Sequence, residues 1–281
     1  MKTITKLAAV ALTLVTASLV HENGALAGKG GSADLIHQAV ASGSQDAIIA
    51  EVERTEGLMC EACIQTLTNL TEDPRFEVRE VAAWWFAKRP QLARLMAEQM
   101  NEDLKGDALH VRNAADFLGA IKELRSLPNL RTAMASATLN SDAKLALVRA
   151  AGALAHVGGN PILEAGMSDA DPAIRTAAVD AWRDVIHQTG SVTVIEARLT
   201  DSDATVRAHA ATVAGAVHDL GARVELEQLV VNDPDSSVRR NAAYALGKLG
   251  AAASRDALTV ASSDRSGLVK NVAKAALASL K

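Results

Sequence analysis

The stretch Asn232–Gly250, with the sequence NDPDSSVRRNAAYALGKLG, decides the fold of this chain. Its Asp-Pro pair predicts a turn, and Asp233 to Ser237 supply the cap and first-turn residues of a helix. Along that helix the apolar residues recur at three- and four-residue steps and form one stripe. The stripe consists of Val238, Ala242, Ala245, Leu246 and Leu249. Gly247 is expected to loosen the helix, and Gly250 to end it.

The same pattern recurs along the chain, which indicates an array of repeats. Each repeat has an anchor, the residue at the position of Val238, and successive anchors lie 28 to 35 residues apart. The anchors are Val78, Val111, Ala146, Ile174, Val206, Val238 and Val269, of which Ala146 marks the weakest repeat. A period of about 30 residues corresponds to one helix–turn–helix module of a solenoid. Second helices are predicted at residues 91–104, 129–139, 161–167, 192–199, 224–231 and 253–261.

Composition favours stacked helices over a sheet. Of the 281 residues 49% are hydrophobic and only 2% aromatic, so the apolar content comes mainly from Ala, Leu and Val. Small side chains let helices pack closely, whereas a sheet requires β-branched and aromatic residues. The formal charge is −4 and charges of both signs alternate along the chain. The sequence therefore lacks the basic stripe that a nucleic-acid partner requires.

A second regularity supports the repeat register. An Asp stands five residues before the anchor and a cation one residue after it, in most repeats. The pairs are Asp73/Arg79, Asp169/Arg175, Asp201/Arg207, Asp233/Arg239 and Asp264/Lys270. The Asp can cap a helix start or bond its free amides, and the cation can reach the Asp of its own or the adjacent repeat. We expect a structural ladder of charges, because catalysis requires one distinctive site and these pairs recur.

The repeated motif D-x-x-x-x-V-R-x-x-A-x-x-A-L-G-x-L-G resembles the first helix of the short HEAT-like repeats noted in bacterial phycobilin lyases. The resemblance covers residues 73–281, with residues 34–72 as an N-terminal helical cap. It implies an all-α fold, an α-solenoid of about seven HEAT-like helical hairpins. It says almost nothing about activity, since this repeat type serves adaptors, inhibitors and a few enzymes.

The N-terminus is predicted to be a secretory signal peptide, residues 1–27. Lys2 and Lys6 provide a positive start, residues 7–20 are apolar, and Ala25-Leu26-Ala27 is a cleavage triplet. We therefore expect an exported protein, periplasmic or extracellular, with no membrane insertion after cleavage. Residues 28–33 are read as a flexible lead-in. Helices are expected around 34–40, continuing through 46–54, and at 58–70.

The chain's two cysteines, Cys60 and Cys63, stand three residues apart at the start of the last of these helices. In an exported protein we expect them to form a structural disulfide within the cap. Two alternatives are reduced, buried thiols and an oxidoreductase or metal role, since a helix N-terminus lowers a thiol pKa. Residue 64 is Ile, so the haem-attachment pattern is absent.

Three aromatic residues are adjacent in the first full repeat. Phe86 and Trp85 are at core-facing positions, as is Trp182 in a later repeat. Trp84 lies off the apolar stripe. It is expected either to pack under the cap or to be an exposed anchor for a partner.

No residues form a recognisable metal, phosphate or cofactor site. The histidines lack the three- or four-residue spacing of helical metal ligands. His-Glu dipeptides, which bind iron in some helical-repeat hydroxylases, are limited to His21-Glu22 in the predicted signal peptide. We therefore predict no cofactor and no metal.

The sequence predicts a non-catalytic scaffold or adaptor in the bacterial cell envelope, which binds a protein partner on the concave face formed by the second helices. Candidate partner-binding residues are Trp84, Arg94, Glu98, Arg131, Glu164, Glu196, Arg198, Glu225 and Glu227. Two alternatives remain: a chromophore- or cofactor-handling lyase-like protein, and a thiol redox protein acting through Cys60 and Cys63.

Overall fold

The structure, a computed structural model, describes residues 32–58, 60–189 and 192–280. These ranges contain α-helices and short 3-10 helices and no β-strand, so the prediction of an all-α solenoid fold is confirmed. The predicted signal peptide and residues 28–31 of the lead-in lie outside the described residues. Contacts divide the chain into two compact units, Met1–Asn129 and Leu130–Lys281, a division that the sequence did not predict.

Unit 1 consists of helical hairpins. Its helices are α1 (Ala33–Ser42), α2 (Gln45–Arg54), α3 (Glu61–Leu70), α4 (Phe76–Ala87), α5 (Pro90–Asp103) and α6 (Ala108–Ala120), and it ends within α7 (Leu127–Met134). The first helices of successive hairpins, α2, α4 and α6, pack against one another in order. This sequential packing is the arrangement expected of a solenoid.

Two predicted boundaries near the N-terminus differ from the structure. The helix expected to continue from 34–40 through 46–54 is broken at Gly43, whose φ of 71° is left-handed, and Ser44 then caps α2. The helix expected from residue 58 begins at Glu61, because Cys60 occupies the N-cap position. In both places turn chemistry prevailed over the helical periodicity of the sequence.

The core of unit 1 is built around aromatic side chains. Trp85 and Phe86, predicted to face the core, are almost completely buried. The Phe86 ring lies edge-on to Trp85 and to Phe117 of α6, with centroids 5.3 and 5.8 Å apart. The contact between Phe86 and Phe117 joins α4 to α6, so large side chains contribute to the seam between these two helices.

Unit 2 continues with α8 (Ser141–Leu154), α9 (Asn160–Met167), α10 (Pro172–Thr189), α11 (Thr193–Glu196), α12 (Ala204–Ala216), α13 (Arg223–Asn232), α14 (Ser236–Leu249), α15 (Arg255–Ala261) and α16 (Gly267–Ser279). The even-numbered helices from α8 to α16 are first helices, and α9, α11, α13 and α15 are second helices. Each first helix packs on the next first helix. The second helix predicted at 192–199 is a single α-helical turn followed by a 3-10 helix, Ala197–Thr200.

Small residues form the seams of unit 2. A Cβ placed on Gly215 of α12 would lie 2.6 Å from Ala245 Cα of α14. A Cβ on Gly247 would lie 2.9 Å from Ala276 Cβ of α16. The prediction that Gly247 loosens its helix was therefore wrong: this glycine permits close helix contact. Gly250 ends α14 with a φ of 66°, as predicted.

The repeat register is confirmed by burial. All seven predicted anchors, including Ala146 of the weakest repeat, are buried, as are Ala242 and Trp182. Leu249, assigned to the apolar stripe, is only half-buried. Among the described residues, no helix combines the length and apolar character needed to cross a bilayer.

Candidate functional site

The predicted charge ladder exists in unit 2 and joins each repeat to the next. We call each of its ion pairs a rung. The rungs are Lys144–Asp169, Arg175–Asp201, Arg207–Asp233 and Arg239–Asp264, with N···O distances of 2.7 to 2.8 Å. Their side chains are largely buried. The sequence left open whether the cation reaches the Asp of its own repeat or that of the adjacent repeat. In the structure each cation pairs with the Asp carboxylate of the adjacent repeat.

Each arginine of the ladder also binds its own repeat. Arg207 Nε and Nη2 donate to the two carboxylate oxygens of Asp233, at 2.8 and 3.0 Å. Its Nη1 donates to the carbonyl oxygens of Asp201 and Ser202 in its own turn. Arg175 and Arg239 make the same set of bonds. One guanidinium thus fixes two successive turns, which a lysine could not do with the same geometry.

The aspartates of the ladder lie in the turn before the first helix of each repeat and are not its N-cap residues. Asp201 Oδ1 accepts the amide of Asp203 at 2.9 Å, and Asp203 is the residue that caps α12. Asp233 and Asp235 repeat this arrangement at α14. The Asp of the motif therefore holds the turn, and a second Asp caps the helix.

The ladder lowers the pKa of its carboxylates. Burial alone would raise the pKa of Asp201, but hydrogen bonds from the Arg175 side chain and the Asp203 amide outweigh burial, so its pKa lies below the ordinary value of 3.8. Asp264 is lowered chiefly by its hydrogen bond from Arg239. Hydrogen bonds with the aspartates also raise the pKa of the Arg175 and Arg239 guanidinium groups. These rungs are therefore ionised at neutral pH.

The ladder departs from the prediction at its irregular positions. In unit 1, Arg79 forms a buried ion pair with Asp116 inside α6, at 2.6 Å. The Asp73 carboxylate is instead held by Arg75. The predicted cation Lys270 makes no ion pair with any residue that the structure describes. Lys144 and Asp116 were missed because neither stands at the motif's offset from an anchor.

Cys60 and Cys63 are joined by a disulfide in the structure, with Cα atoms 5.2 Å apart. Cys63 is completely buried, whereas Cys60, the N-cap of α3, is half-buried. The loop before Cys60 is held by Arg89, whose guanidinium donates to the carbonyl oxygens of Thr55, Glu56 and Leu58 and lies 3.5 Å from the Trp85 ring centroid. Arg89 was not recognised from the sequence.

Trp84 is half-buried on α4, with Lys88 Nζ 5.3 Å from its ring centroid. Lys88 also forms an ion pair with Glu56 of the loop that precedes the disulfide. Neither predicted role of Trp84 is decided by this position.

The other predicted partner-binding residues differ in their surroundings. Arg94 and Glu98 are exposed on α5 in unit 1, and Arg131, Glu164 and Glu225 are exposed in unit 2. Two residues of the set are engaged within unit 2: Arg198 Nη1 donates to the Met167 carbonyl oxygen at 2.7 Å, and Glu227 pairs with Arg223 at 2.6 Å. Glu196 is half-buried, and burial followed by the charge of Asp219 raises its pKa.

Second helices of unit 2 expose apolar side chains that the sequence analysis did not single out. We define the second-helix surface as Val224 and Val231 of α13 and Val260 of α15, together with Glu164 of α9. Val224 and Val231 are seven residues apart and therefore share one face of α13, opposite the buried Leu226. Helices α13 and α15 are packed side by side.

Other surface features of unit 2 do not correspond to any site predicted from the sequence. His209 Nδ1 lies 2.8 Å from Asp180 Oδ1 of the preceding repeat. No three His, Cys, Asp or Glu side chains among the described residues are grouped to hold a metal ion. An open apolar groove between α14 and α16 is lined by Tyr244, Lys248 and Val272.

Residues 191–278 match a protein family described as HEAT repeats. The match lies within unit 2 and covers less than a third of the chain. The match covers the part of the chain in which the ladder and the glycine–alanine seams are most regular. No curated protein matches the chain.

Three solved structures are similar to this chain at low sequence identity. The X-ray structure of YibA from Escherichia coli is 14% identical with a TM-score of 0.53, over 87% of this chain and 92% of that one. Kap95p, solved with RanGDP, is 14% identical with a TM-score of 0.54, over 87% of this chain and 40% of that one. The complex of CpcE and CpcF of phycocyanin lyase from Nostoc sp. PCC7120 is 17% identical over 93% of this chain and 99% of that one, with a TM-score of only 0.39. The similarities to YibA and Kap95p concern the fold alone.

Proposed function

We propose that the protein is a non-catalytic scaffold that binds a partner protein on the second-helix surface of unit 2. HEAT repeats stack into extended arrays whose successive helices offer many modest contacts to one partner. Fold alone does not define this function, so the proposal depends on the surface itself.

The observation that carries the proposal is the exposure of aliphatic side chains on neighbouring second helices. Val224 is 48% exposed and Val260 58% exposed, and Val231 lies on the same face as Val224. Exposed apolar residues that cluster among charged ones are typical of protein-binding surfaces. Glu164 and Glu225, predicted from sequence as partner contacts, are exposed on the same set of helices.

Photo-crosslinking tests this proposal. A photoreactive amino acid is placed at Val224, Val231 or Val260 in separate variants, and at Leu268 as a control. Leu268 is an aliphatic residue at least as exposed as the three valines, but it lies on the first helix α16. We expect one and the same protein to crosslink from the three second-helix positions and not from Leu268.

Crosslinking from Leu268 with equal yield, or different proteins from the three positions, would contradict a specific surface. The intact mass of the purified partner, measured before and after incubation with the chain, tests the non-catalytic part. An unchanged mass is expected, and a covalent change in the partner would indicate an enzyme.

A second candidate function, thiol–disulfide exchange, is favoured by one specific observation. Cys60 is half-buried at a helix N-terminus, whereas Cys63 is completely buried. This asymmetry lets an incoming thiolate attack the sulfur of Cys60 while Cys63 leaves. The bonds of Arg89 favour the structural role instead, because they fix the carbonyl oxygens of Thr55, Glu56 and Leu58 in the segment that precedes Cys60.

The reduction potential discriminates between these two roles of the disulfide. Equilibration of the chain with dithiol buffers, followed by thiol alkylation and mass measurement, gives the potential directly. A structural bond is expected below about −300 mV, and a value near that of catalytic dithiols would instead support exchange.

The proposal also places the protein outside the cytoplasm, in the periplasm or beyond the cell, on the strength of the N-terminal sequence pattern alone. Signal cleavage after Ala27 predicts a mature protein that begins at Gly28. N-terminal sequencing of the protein from its native host tests this, and a mature chain that retains residues 1–27 would contradict export by this route.

A further inference from the structure

The open apolar groove between α14 and α16 lies on the first helices of unit 2. It has a volume of about 320 Å³ and is lined by Tyr244 and Gly247 of α14 and by Val272 and Ala276 of α16. Gly247 has no side chain and Ala276 a small one, so the space between the two helices is not filled at the surface. Pockets for whole small-molecule ligands begin at about 300 Å³. The groove is therefore of a size that suits a side chain or two rather than a cofactor.

The two helices that form the groove carry positive charge only. Neither α14 nor α16 contains an Asp or a Glu, although the chain as a whole has a formal charge of −4. Arg239 is engaged in its rung with Asp264. The other cations of these helices form no ion pair with any residue that the structure describes; they are Arg240, Lys248, Lys270 and Lys274. An apolar groove thus lies among cations that lack a counter-charge.

Lys248 is the charged residue among those that line the groove. It is exposed, and its Nζ lies 5.4 Å from the centroid of the Tyr244 ring, which is itself 44% exposed. The Ser279 hydroxyl, also at the groove, is bonded to the Gly247 carbonyl oxygen at 3.0 Å. The groove therefore offers an apolar surface, an aromatic ring and one ammonium group to an occupant.

Unit 1 contains the same pair of residue types with a carboxylate in place. Trp84 and Lys88 occupy the repeat positions of Tyr244 and Lys248, six and ten residues after the anchor. Lys88 Nζ lies 5.3 Å from the Trp84 ring centroid and 2.8 Å from Glu56 Oε1. A lysine that lies beside an aromatic ring at this repeat position thus also pairs with a carboxylate. In unit 2 no described residue supplies that carboxylate to Lys248.

We propose that the groove binds an acidic segment of a partner protein. An aliphatic side chain of the segment enters the groove beside Tyr244, and a neighbouring Glu or Asp pairs with Lys248. Arg240 and Lys274 add positive charge that attracts such a segment. A recess between helices favours an inserted side chain over a flat lipid surface. The inference goes beyond the proposed function and does not rest on it, because the groove lies on first helices.

The test uses the full chain and two synthetic peptides. The acidic peptide is acetyl-Glu-Leu-Leu-Glu-amide, and the neutral peptide has Gln in place of both Glu residues. Lys248→Gln removes the charge at the groove, and Arg255→Gln, at an exposed cation of the second helix α15, is the matched control. Ala275→Leu, at an exposed residue that lines the groove, places a larger side chain there without a change in charge.

We expect the acidic peptide at millimolar concentration to shift the amide NMR signals of Gly247 and Ala276 saturably. Lys248→Gln should weaken its binding about threefold to fivefold, the factor of an exposed ion pair, whereas Arg255→Gln should leave it unchanged. The neutral peptide should bind more weakly by a similar factor, and Ala275→Leu should abolish binding. Thermal unfolding of each variant at the wild-type temperature shows that it is folded.

Four results would overturn the proposal. The first is the absence of any shift from the acidic peptide, and the second is equal binding of the neutral peptide. The third is equal binding of the acidic peptide by Lys248→Gln. The fourth is sedimentation of the chain with vesicles that contain phosphatidylglycerol, retained in Ala275→Leu, because it would assign these cations to a membrane surface.

The groove and the second-helix surface are tested separately. Leu268, the crosslinking control, does not line the groove, and it lies eight residues before Ala276, about 12 Å along the helix axis. If crosslinking from the second helices yields no common protein while the acidic peptide binds as described, the groove stands and the scaffold function falls. If crosslinking succeeds and the peptide gives no shift, the scaffold stands and the groove falls.

Discussion

Units 1 and 2 join their repeats by different means. In unit 2 the same Arg–Asp rung recurs in three successive repeats, with Lys144–Asp169 before them, and glycine faces alanine at the helix seams. In unit 1 the seam between α4 and α6 is aromatic, and in the buried Arg79–Asp116 pair the carboxylate belongs to a residue inside helix α6. The comparison shows that helical hairpins can pack through ion pairs and glycine–alanine contacts in one unit and through aromatic contacts in the other.

The largest loss of stability is expected from a charge placed in a helix seam of unit 2. Ala242 is completely buried on α14, so Ala242→Asp leaves a carboxylate without a partner between repeats. We expect a loss of more than about 4 kcal/mol in the free energy of unfolding of unit 2. Ala275→Asp, at an exposed position of α16, is the control and should change little. Denaturant unfolding measures both, and equal stability of the two variants would refute the repeat register.

Removal of one rung partner is expected to have the next largest effect. Arg207→Ala leaves Asp233 buried without its guanidinium, which we expect to cost about 3 kcal/mol. The double variant Arg207→Met with Asp233→Asn removes both charges, keeps a side-chain oxygen for the Asp235 amide, and should recover most of that loss. A double variant no more stable than the single one would show that the ion pair itself, and not the orphaned charge, sets the stability.

Substitution of a glycine at a close helix contact is expected to reduce stability less. Gly215→Ala forces a Cβ against the Ala245 backbone of α14, at an expected cost of about 1 to 2 kcal/mol. Gly267→Ala, where a Cβ meets no atom within 4 Å, is the matched control and should be neutral or slightly stabilising. If thermal melts show the two substitutions to be equivalent, the seams of unit 2 are looser than the structure indicates.

Acidification is expected to reduce the stability of the fold least. The pKa values of Asp169, Asp201 and Asp264 are lowered in the folded chain, so the unfolded chain binds protons more readily. Their stabilisation is complete above the ordinary Asp pKa of 3.8 and is lost as the pH falls through the lowered values. Unfolding measured between pH 5 and about pH 2 should therefore show falling stability only below that ordinary value. Asp201→Asn should reduce the slope, and an unchanged slope would contradict the assignment.

Much of the fold was predictable because it depends on local periodicity. The position of Val238 recurs as a buried anchor even where the motif is weak, at Ala146. The direction of the rungs was not predictable, because sequence offsets do not show which turn a flexible arginine side chain reaches. Arg207 could have paired with the Asp201 carboxylate of its own repeat, but in the structure it pairs with the Asp233 carboxylate of the next repeat.

The candidate site was less predictable than the fold. Glu196 and Glu225 were singled out as surface charges, but Asp219 was not, because a turn residue carries no periodic signal. Gly221 permits the close approach of the Glu196 and Asp219 carboxylates, and such a contact between separate segments is invisible in a linear pattern. Arg198 was predicted as a partner-binding residue, and its bond to the Met167 carbonyl oxygen could not be foreseen from the sequence either.

Hydrogen exchange on the Arg207→Ala variant tests the central claim, that successive repeats of unit 2 stabilise one another through shared seams and rungs. Mass spectrometry of the exchanged chain resolves α12, α14 and α16 separately. The claim predicts that amide protection falls in α12 and α14 together, on both sides of the broken rung, and less in α16. Loss of protection confined to α12, with α14 as protected as in the wild type, would contradict it.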